Sequence, residues 1–470
     1  MRLRSLLLLA APIFAFAQST ASSPTLVFLH ATVINPATAS VEADQAVVVG
    51  GSRITNVTSA KAFRPPAQSR VIDATGQFLI PGLWDMHVHS VFGDWFPRGR
   101  DVILPLFVAN GITGVRDMGG ELATLLQWRE QISAGKLIGP RMIVAGPMLD
   151  GFLPDGKTTR FPSSVVVMTR QQAVAAVDLL KSQHADFIKV QSEIPLDAYL
   201  AAAAEAHKQG LPFVGHVPDR VKLVQAVEAG QKSIEHLMGI FEGCSTQEDR
   251  FIKGQGNNKL LMDTQDPRRC AQLIQLLAGH RVWQVPTLAW GRQGAFLDQL
   301  DWKRQPLDKY VPAYWRDVTW RRFNQQMMPE LLADPVELRK RTLAADLKMM
   351  GDMHRAGVPF LAGTDTAPGI YVMPGFSLHD ELANFVEAGF TTMEALKTAT
   401  SNPAVFFEKK DQGSVASGNV ADLVLLAANP LDDIHNTTKI SAVVANGRFF
   451  DRAALDRMLA QVEAAAKRKD

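Results

Sequence analysis

The 470-residue chain predicts an α/β fold: a (β/α)8 TIM barrel with a small β-sandwich domain built from both chain ends. Three observations predict it. Between residues 81 and 408, short β-type runs alternate with helical stretches eight times, the count of a closed barrel. Runs rich in β-formers, broken by turns, fill residues 24–80 and return over 410–452. Hydrophobic residues make up 47% and charged residues 20%, so a large core can form without a disulfide framework or a structural metal.

The N-terminus comes first. Arg2 and Arg4 precede an apolar stretch over residues 5–14, and Ala15-Phe16-Ala17 fits a small-residue cleavage site. Residues 1–17 therefore predict a signal peptide cut near Ala17 and a secreted or periplasmic protein. That stretch is too short to span a bilayer, and no later run of about 18 apolar residues exists, so no membrane span is expected. Strands are predicted over 25–30, 45–49, 53–57 and 70–73, with Gly50-Gly51 as a hairpin turn. The barrel strands are predicted over 84–89, 113–117, 141–145, 187–190, 213–217, 233–237, 283–288 and 359–364, each leading into a helix. Residues 296–338 are too long for a plain connection and read either as a lid-like insertion or as a packed surface helix pair. Strands at 421–426 and 441–445 complete the end domain, and 453–470 form a C-terminal helix or tail.

The formal charge of +2, from 49 Lys+Arg against 47 Asp+Glu, offers no electrostatic case for nucleic acid. The expected partner is a small molecule or short peptide, with a homo-oligomer left open. Cys244 and Cys270 are the only cysteines. In an exported protein they are either a disulfide or two buried thiols.

The chemistry starts at His87-Val88-His89. On a strand, residues i and i+2 face the same way, and a barrel strand can aim both imidazoles at the C-terminal mouth. Lys189 sits in the apolar run Asp186-Phe-Ile-Lys-Val190, where an unpaired ammonium is costly. Either its tip reaches solvent or a carboxylate, or the desolvated amine captures CO₂ and becomes an anionic bridging ligand. His216 and His236 each end a β-type run, and their spacings from Lys189 match successive strand–helix repeats. Asp365 ends the last run, in Gly363-Thr-Asp365. Imidazoles with one carboxylate suit zinc, with cobalt, nickel or manganese as alternatives. Arg116 could hold a substrate carboxylate or pair with an acid. Trp290 and Tyr371 could line the pocket, and His379 could reach the mouth.

These motifs, with Val71-Ile-Asp-Ala-Thr-Gly76, Gly114-Val-Arg-Asp-Met-Gly119, Asn402-Pro-Ala404 and Gly418-Asn-Val-Ala-Asp422, resemble the amidohydrolase superfamily, in its imidazolonepropionase-like and Xaa-Pro dipeptidase-like branch. The resemblance covers nearly the whole chain after residue 17. It implies a centre of two divalent metal ions, zinc first among the candidates. His87, His89 and Asp365 would bind one ion, His216 and His236 the other, and a carboxylated Lys189 would bridge them. Many relatives carry a Gly-Gly-His element after the third strand. Here Gly146-Pro-Met-Leu-Asp-Gly-Phe-Leu-Pro154 has no His, so substrate contacts do not carry over there.

The expected activity is hydrolysis of an amide or peptide C–N bond in a dipeptide or N-acyl amino acid by a metal-bridging hydroxide, with Asp365 as general base and then acid. A cyclic amide is the alternative substrate. From another class, the alternative is a catalytically dead periplasmic binding protein.

Overall fold

A computed structural model describes residues 25–153, 156–157, 161–296, 299, 305–321, 332–367 and 371–468. The signal-peptide reading falls on residues 1–17, outside the described ones.

Both chain ends build one continuous sheet. Its strands are β1 (Leu26–Asn35), β2 (Ser40–Gly50), β3 (Arg53–Ser59), β4 (Arg70–Asp73) and β5 (Phe78–Pro81). The C-terminal half adds three more, numbered below after those of the central body. Valine and isoleucine dominate these runs, which suits a pleated, half-buried surface. The β2–β3 turn works because Gly51 adopts φ +59°, a left-handed conformation that glycine takes without a Cβ penalty.

The central body is TIM-barrel-like α/β. Seven short parallel strands carry it: β6 (Leu83–Val88), β7 (Ile112–Asp117), β8 (Arg141–Val144), β11 (Ile188–Val190), β12 (Phe213–Gly215), β13 (Ser233–Glu235) and β14 (Trp283–Val285), with β9 (Met148–Asp150) and β10 (Ser164–Val166) between β8 and β11. Hydrogen bonding groups them as a three-stranded sheet β6-β7-β8 and a six-stranded sheet β10-β9-β11-β12-β13-β14. Both β6 and β7 are buried along their whole length, as expected of parallel strands covered on both faces. Tight packing selects glycine at Gly114, where a Cβ would lie 2.1 Å from Trp84 Cε2.

The three remaining sheet strands are β15 (Leu423–Leu426), β16 (Ile440–Ala445) and β17 (Arg448–Asp451). Antiparallel pairing of β15 with β5, Leu425 opposite Leu79, joins the two ends of the chain. Phe28, Val47, Leu79, Leu425 and Val444 form the buried apolar face of this sheet. A sandwich was expected; the eight strands are instead linked edge to edge in a single sheet, because β5 bridges β1 to β15.

The predicted eighth strand also differs. Residues 359–364 make only an isolated bridge, Phe360 to Gln284. The reason is local. Gly363 passes so close to β6 that a Cβ there would lie 2.9 Å from the His87 backbone nitrogen. The segment still spans the gap between the two sheets. Leu361 donates to Gln284 O at 2.9 Å, and Met86 donates to Ala362 O at 2.9 Å. On the other side, Asp186 N donates to Val144 O at 2.9 Å.

Part of the predicted 296–338 insertion lies outside the described residues. The described stretch 305–321 is neither a helix pair nor a detached lid. It forms short 3₁₀ and π turns pinned by Trp315, whose indole N–H donates to Pro97 O at 2.9 Å and whose ring meets Phe96 edge-on at 5.0 Å. Among the described residues no helix is long and apolar enough to cross a membrane.

Cys244 and Cys270 lie on neighbouring helices, Ile240–Cys244 and Pro267–Gly279, with Cα atoms 4.6 Å apart. That separation is within disulfide reach. We propose that they are joined in the exported protein, which would stabilise it by about 3 kcal/mol. Thiol titration under denaturing, non-reducing conditions is expected to find no free thiol; two would contradict the pairing.

Candidate metal centre

Six side chains converge at the C-terminal ends of the central strands. His87 belongs to β6, and His89 follows it by one residue; Lys189 lies in β11; His216 and His236 directly follow β12 and β13; Asp365 follows the 359–364 run. The β6–β7 pairing slips between Asp85 and Val88, an irregularity at the segment that carries the two histidines. His236 and Asp365 both adopt left-handed backbone, with φ of +59° each. Such conformations are uncommon outside glycine and concentrate at functional sites.

The Asp365 carboxylate is the hub. Its Oδ1 lies 3.3 Å from His89 Nε2 and 3.5 Å from His87 Nε2, and its Oδ2 lies 4.0 Å from His236 Nε2. The ligand atoms of His87, His89 and Asp365 all fall within 4.8 Å of one another. The His236 ring sits 4.8 Å from that of His87 and 4.9 Å from that of His216, centroid to centroid.

Each imidazole is held by its other nitrogen. His87 Nδ1 lies 2.8 Å from Glu235 Oε2, and His89 Nδ1 lies 2.9 Å from Gly119 O. His216 Nδ1 meets Ser192 Oγ at 2.8 Å, and His236 Nδ1 meets Thr287 Oγ1 at 2.6 Å. A carboxylate or carbonyl at Nδ1 requires the proton there, which leaves the Nε2 lone pair for a ligand. The Thr287 hydroxyl donates to Pro286 O, so its lone pairs serve His236 in the same sense.

The electrostatics agree. Burial, aided by the charge of Lys189, holds His87 and His216 well below the ordinary imidazole pKa, and burial holds His236 at about 4. Burial works to raise the Asp365 pKa, but the polar surroundings supplied by His89, His236 and the Lys189 ammonium outweigh it and bring it below its usual value. Neutral imidazoles around an ionised carboxylate are a donor set for a divalent cation. Lys189 is the misfit. It is 1% exposed, its Nζ has no hydrogen-bond partner among the described residues, and burial lowers its pKa to about 8.

Two anchors escaped the sequence reading. Asp85 accepts from Thr364 N at 3.0 Å and Thr364 Oγ1 at 2.7 Å, tying β6 to the loop that carries Asp365; burial raises its pKa to about 7. Glu235, next to His236, turns to His87. Arg116 grips Glu235 with both carboxylate contacts at 2.9 Å, Ser233 Oγ donates to it at 2.6 Å, and Arg116 also donates to Met86 O at 2.6 Å. A signal existed: an acid inside a short apolar strand must have a partner. Orienting groups of this kind are worth about 10–100-fold in metal affinity or activity. Glu235→Gln is therefore expected to weaken metal binding by about that factor and to lower the melting temperature, because Arg116 is left buried without its counter-charge. Wild-type affinity in a metal titration would contradict this.

Of the two readings of Arg116, pairing with an acid is the one seen: it is fully buried, its donors are taken, and it is an anchor and not a substrate contact. The His379 expectation is corrected. It is buried away from the centre, with Nδ1 2.9 Å from Thr437 Oγ1 and Nε2 3.1 Å from Asn110 O, and it stitches the barrel to the end sheet. Tyr371 packs on Trp320 at 5.4 Å and is absent from the described cavity wall. Trp290 does line the cavity.

That cavity, of about 500 Å³, opens over the five ligand candidates His87, His89, His216, His236 and Asp365, together with Lys189. Phe92, Leu153 and Phe161 add apolar wall, and Phe92 stands 4.8 Å from the His89 ring. Asp150, in the segment without the Gly-Gly-His element, also lines it.

Comparisons with known proteins bear on this geometry. The chain is similar in structure to a bottromycin amidohydrolase, with 25% identity, coverage of 94% of this chain and 91% of that one, and a TM-score of 0.72. It is also similar to a Xaa-Pro dipeptidase with bound methionine in its active site, at 20% identity, coverage of 91% and 100%, and a TM-score of 0.68. A molinate hydrolase follows at 18% identity, coverage of 92% and 96%, and a TM-score of 0.66. No curated protein sequence matches the chain. The sequence model of the amidohydrolase family matches residues 78–450, a span that contains all six converging side chains, and the chain belongs to that family.

Proposed function

We propose that the chain is a metal-dependent amidohydrolase that cleaves a C–N bond in a small substrate such as a dipeptide or an N-acyl amino acid. The observation that carries this is the Asp365 carboxylate, 3.3–4.0 Å from three imidazole Nε2 atoms in a cavity of about 500 Å³. The prolidase-like branch of the family is part of the same reading. So is closure of the parallel strands and the 359–364 run into one eight-membered barrel, which the hydrogen bonds at both seams support.

His87, His89 and Asp365 would hold one divalent ion, zinc foremost, and His216 and His236 a second. Lys189, carboxylated, would bridge them and would turn an orphaned cation into an anion. Bound divalent ions supply Lewis acidity, which acidifies water and polarises the carbonyl under attack. The Nδ1 partners keep the four imidazoles aimed, and burial keeps His87, His216 and His236 neutral. Asp365 Oδ2, farther from imidazole nitrogen than Oδ1, is the atom that takes the attacking water's proton and returns it to the leaving nitrogen. Phe92, Leu153 and Phe161 keep bulk water from that side of the site.

The N-terminal residues support export to the periplasm, where scavenged peptides or acyl-amino acids are the more natural substrates than an intracellular ring-opening. The deciding experiment is a hydrolysis profile of purified, metal-loaded protein against dipeptides, N-acyl amino acids and cyclic amides. Turnover of a dipeptide or N-acyl amino acid supports the proposal; cyclic amides alone would favour the ring-opening alternative. Saturable binding with no turnover would make the chain a binding protein.

A further inference from the structure

Away from the converging ligands, the cavity wall passes to two helices that pack side by side, Leu288–Ala295 and Val336–Arg355. Trp290 and Gly291 come from the first and Asp346 from the second. Two observations stand out there. The wall is open at Gly291, where a Cβ would meet nothing nearer than Leu288 Cδ2 at 4.0 Å. Asp346 is a carboxylate that no cation and no hydrogen-bond donor reaches among the described residues. Burial pushes its pKa up to about 7, and the like charge of Glu242 adds to the effect. An acid in that setting has no structural reason to be there, since an amide or a leucine would sit more cheaply in the same wall.

The rest of the lining is also acidic. Its described carboxylates are Asp150, Glu193, Asp219, Asp346 and Asp365, and its one ammonium is Lys189, inside the metal centre.

We propose that the recess between Gly291 and Asp346 is a specificity subsite that takes a cationic group of the substrate, an alkylammonium or alkylguanidinium side chain, with Asp346 as its counter-ion. This deepens the reading of the cavity as a substrate site and rests on it. The aliphatic stem would run past Leu237 and Met238, which line the same cavity. Trp290, which lines the same cavity, carries an indole, the best of the aromatic rings for a cation. Pairing restores to Asp346 the counter-charge that its surroundings lack.

The test uses isosteres that differ in charge alone and do not ligate metals. n-Butylguanidinium and its neutral counterpart n-butylurea are titrated calorimetrically into the metal-loaded full chain. The guanidinium is expected to bind about 10-fold tighter or better, the strength of a buried charged hydrogen bond, and Asp346→Asn should bring the ratio close to one. Arginine- and citrulline-containing dipeptides repeat the comparison in kcat/KM. Equal binding of the two probes to the wild-type chain would overturn the subsite, whatever the Asn variant does. So would a preference that Asp346→Asn leaves intact. Because the titration needs no turnover, failure of the subsite and failure of the hydrolase reading are separate results: selective binding without hydrolysis of any dipeptide, N-acyl amino acid or cyclic amide would sink the second and keep the first.

Discussion

Asp365→Asn is expected to lower turnover by about 10²–10⁴-fold while leaving the fold and most of the metal in place. In the proposed mechanism the side chain has two tasks, and the substitution separates them. Asparagine keeps the size and one oxygen, so it can still face His87 and His89, which lie 3.5 and 3.3 Å from Oδ1. It cannot take a proton from water at neutral pH. The aspartate can, because its neighbours keep it ionised: burial alone would raise its pKa, but His89, His236 and the Lys189 ammonium around it more than compensate. The check is kcat measured alongside metal content. A metal-replete variant that turns over at nearly the wild-type rate would leave Asp365 as a ligand only. His379 could not then be the base, since both its nitrogens are engaged with Thr437 and Asn110 behind the barrel wall.

The second large effect is expected at Lys189. Its amine is sealed at 1% exposure with no hydrogen-bond partner among the described residues, among imidazoles that burial keeps neutral. With its pKa held at about 8 by burial, a useful fraction is free amine at neutral pH. Attack of Nζ on the carbon of CO₂ forms an N–C bond and releases one proton, and the product is an anionic carbamate. Lys189→Ala is expected to lose bound metal and nearly all activity, with partial recovery in short carboxylic acids that fill the vacated space. Metal content and turnover equal to wild type would refute the bridging role.

Much of this site was legible in the sequence because ligands at strand ends leave a periodic mark. His216 and His236 end consecutive β-type runs, Lys189 sits one repeat earlier, and the His87-Val88-His89 alternation is a strand signature; the structure brings all of them into one cavity wall with Asp365. What failed to show was direction. Arg116 and Glu235 lie on different strands, and nothing local says that the guanidinium grips the acid instead of a substrate. His379 sits on a helix near the ligand loop, yet its helix turns it toward Thr437, in the 3₁₀ turn Ile434–Thr438 between β15 and β16, a contact 58 residues away in the chain. Asp85 and Ser192 each look like ordinary strand-end polar residues until their partners, Thr364 and His216, are placed beside them.

The fold followed a similar division. β1, β4 and β11–β13 lie where their β-branched runs predict, because pattern and packing agree there. Residues 359–364 have the composition of a strand, but the close approach of Gly363 to β6 leaves them only an isolated bridge. The short β9 and β10 carry no alternation long enough to mark them; pairing of β9 with β11, and of β10 with β9, makes them strands. The edge-to-edge linkage of the end sheet was not legible, because pairing partners far apart in sequence, β5 with β15, are decided by register and not by local propensity.

The central claim is that this constellation works as a divalent-metal centre. Elemental analysis of the purified full-length protein, coupled to an amide-hydrolysis assay before and after chelation, tests it most directly. The account predicts about two divalent ions per chain, loss of activity on chelation, and recovery when zinc or a similar ion is returned. Protein that hydrolyses its substrate with no bound divalent ion, and is indifferent to chelators, would contradict it.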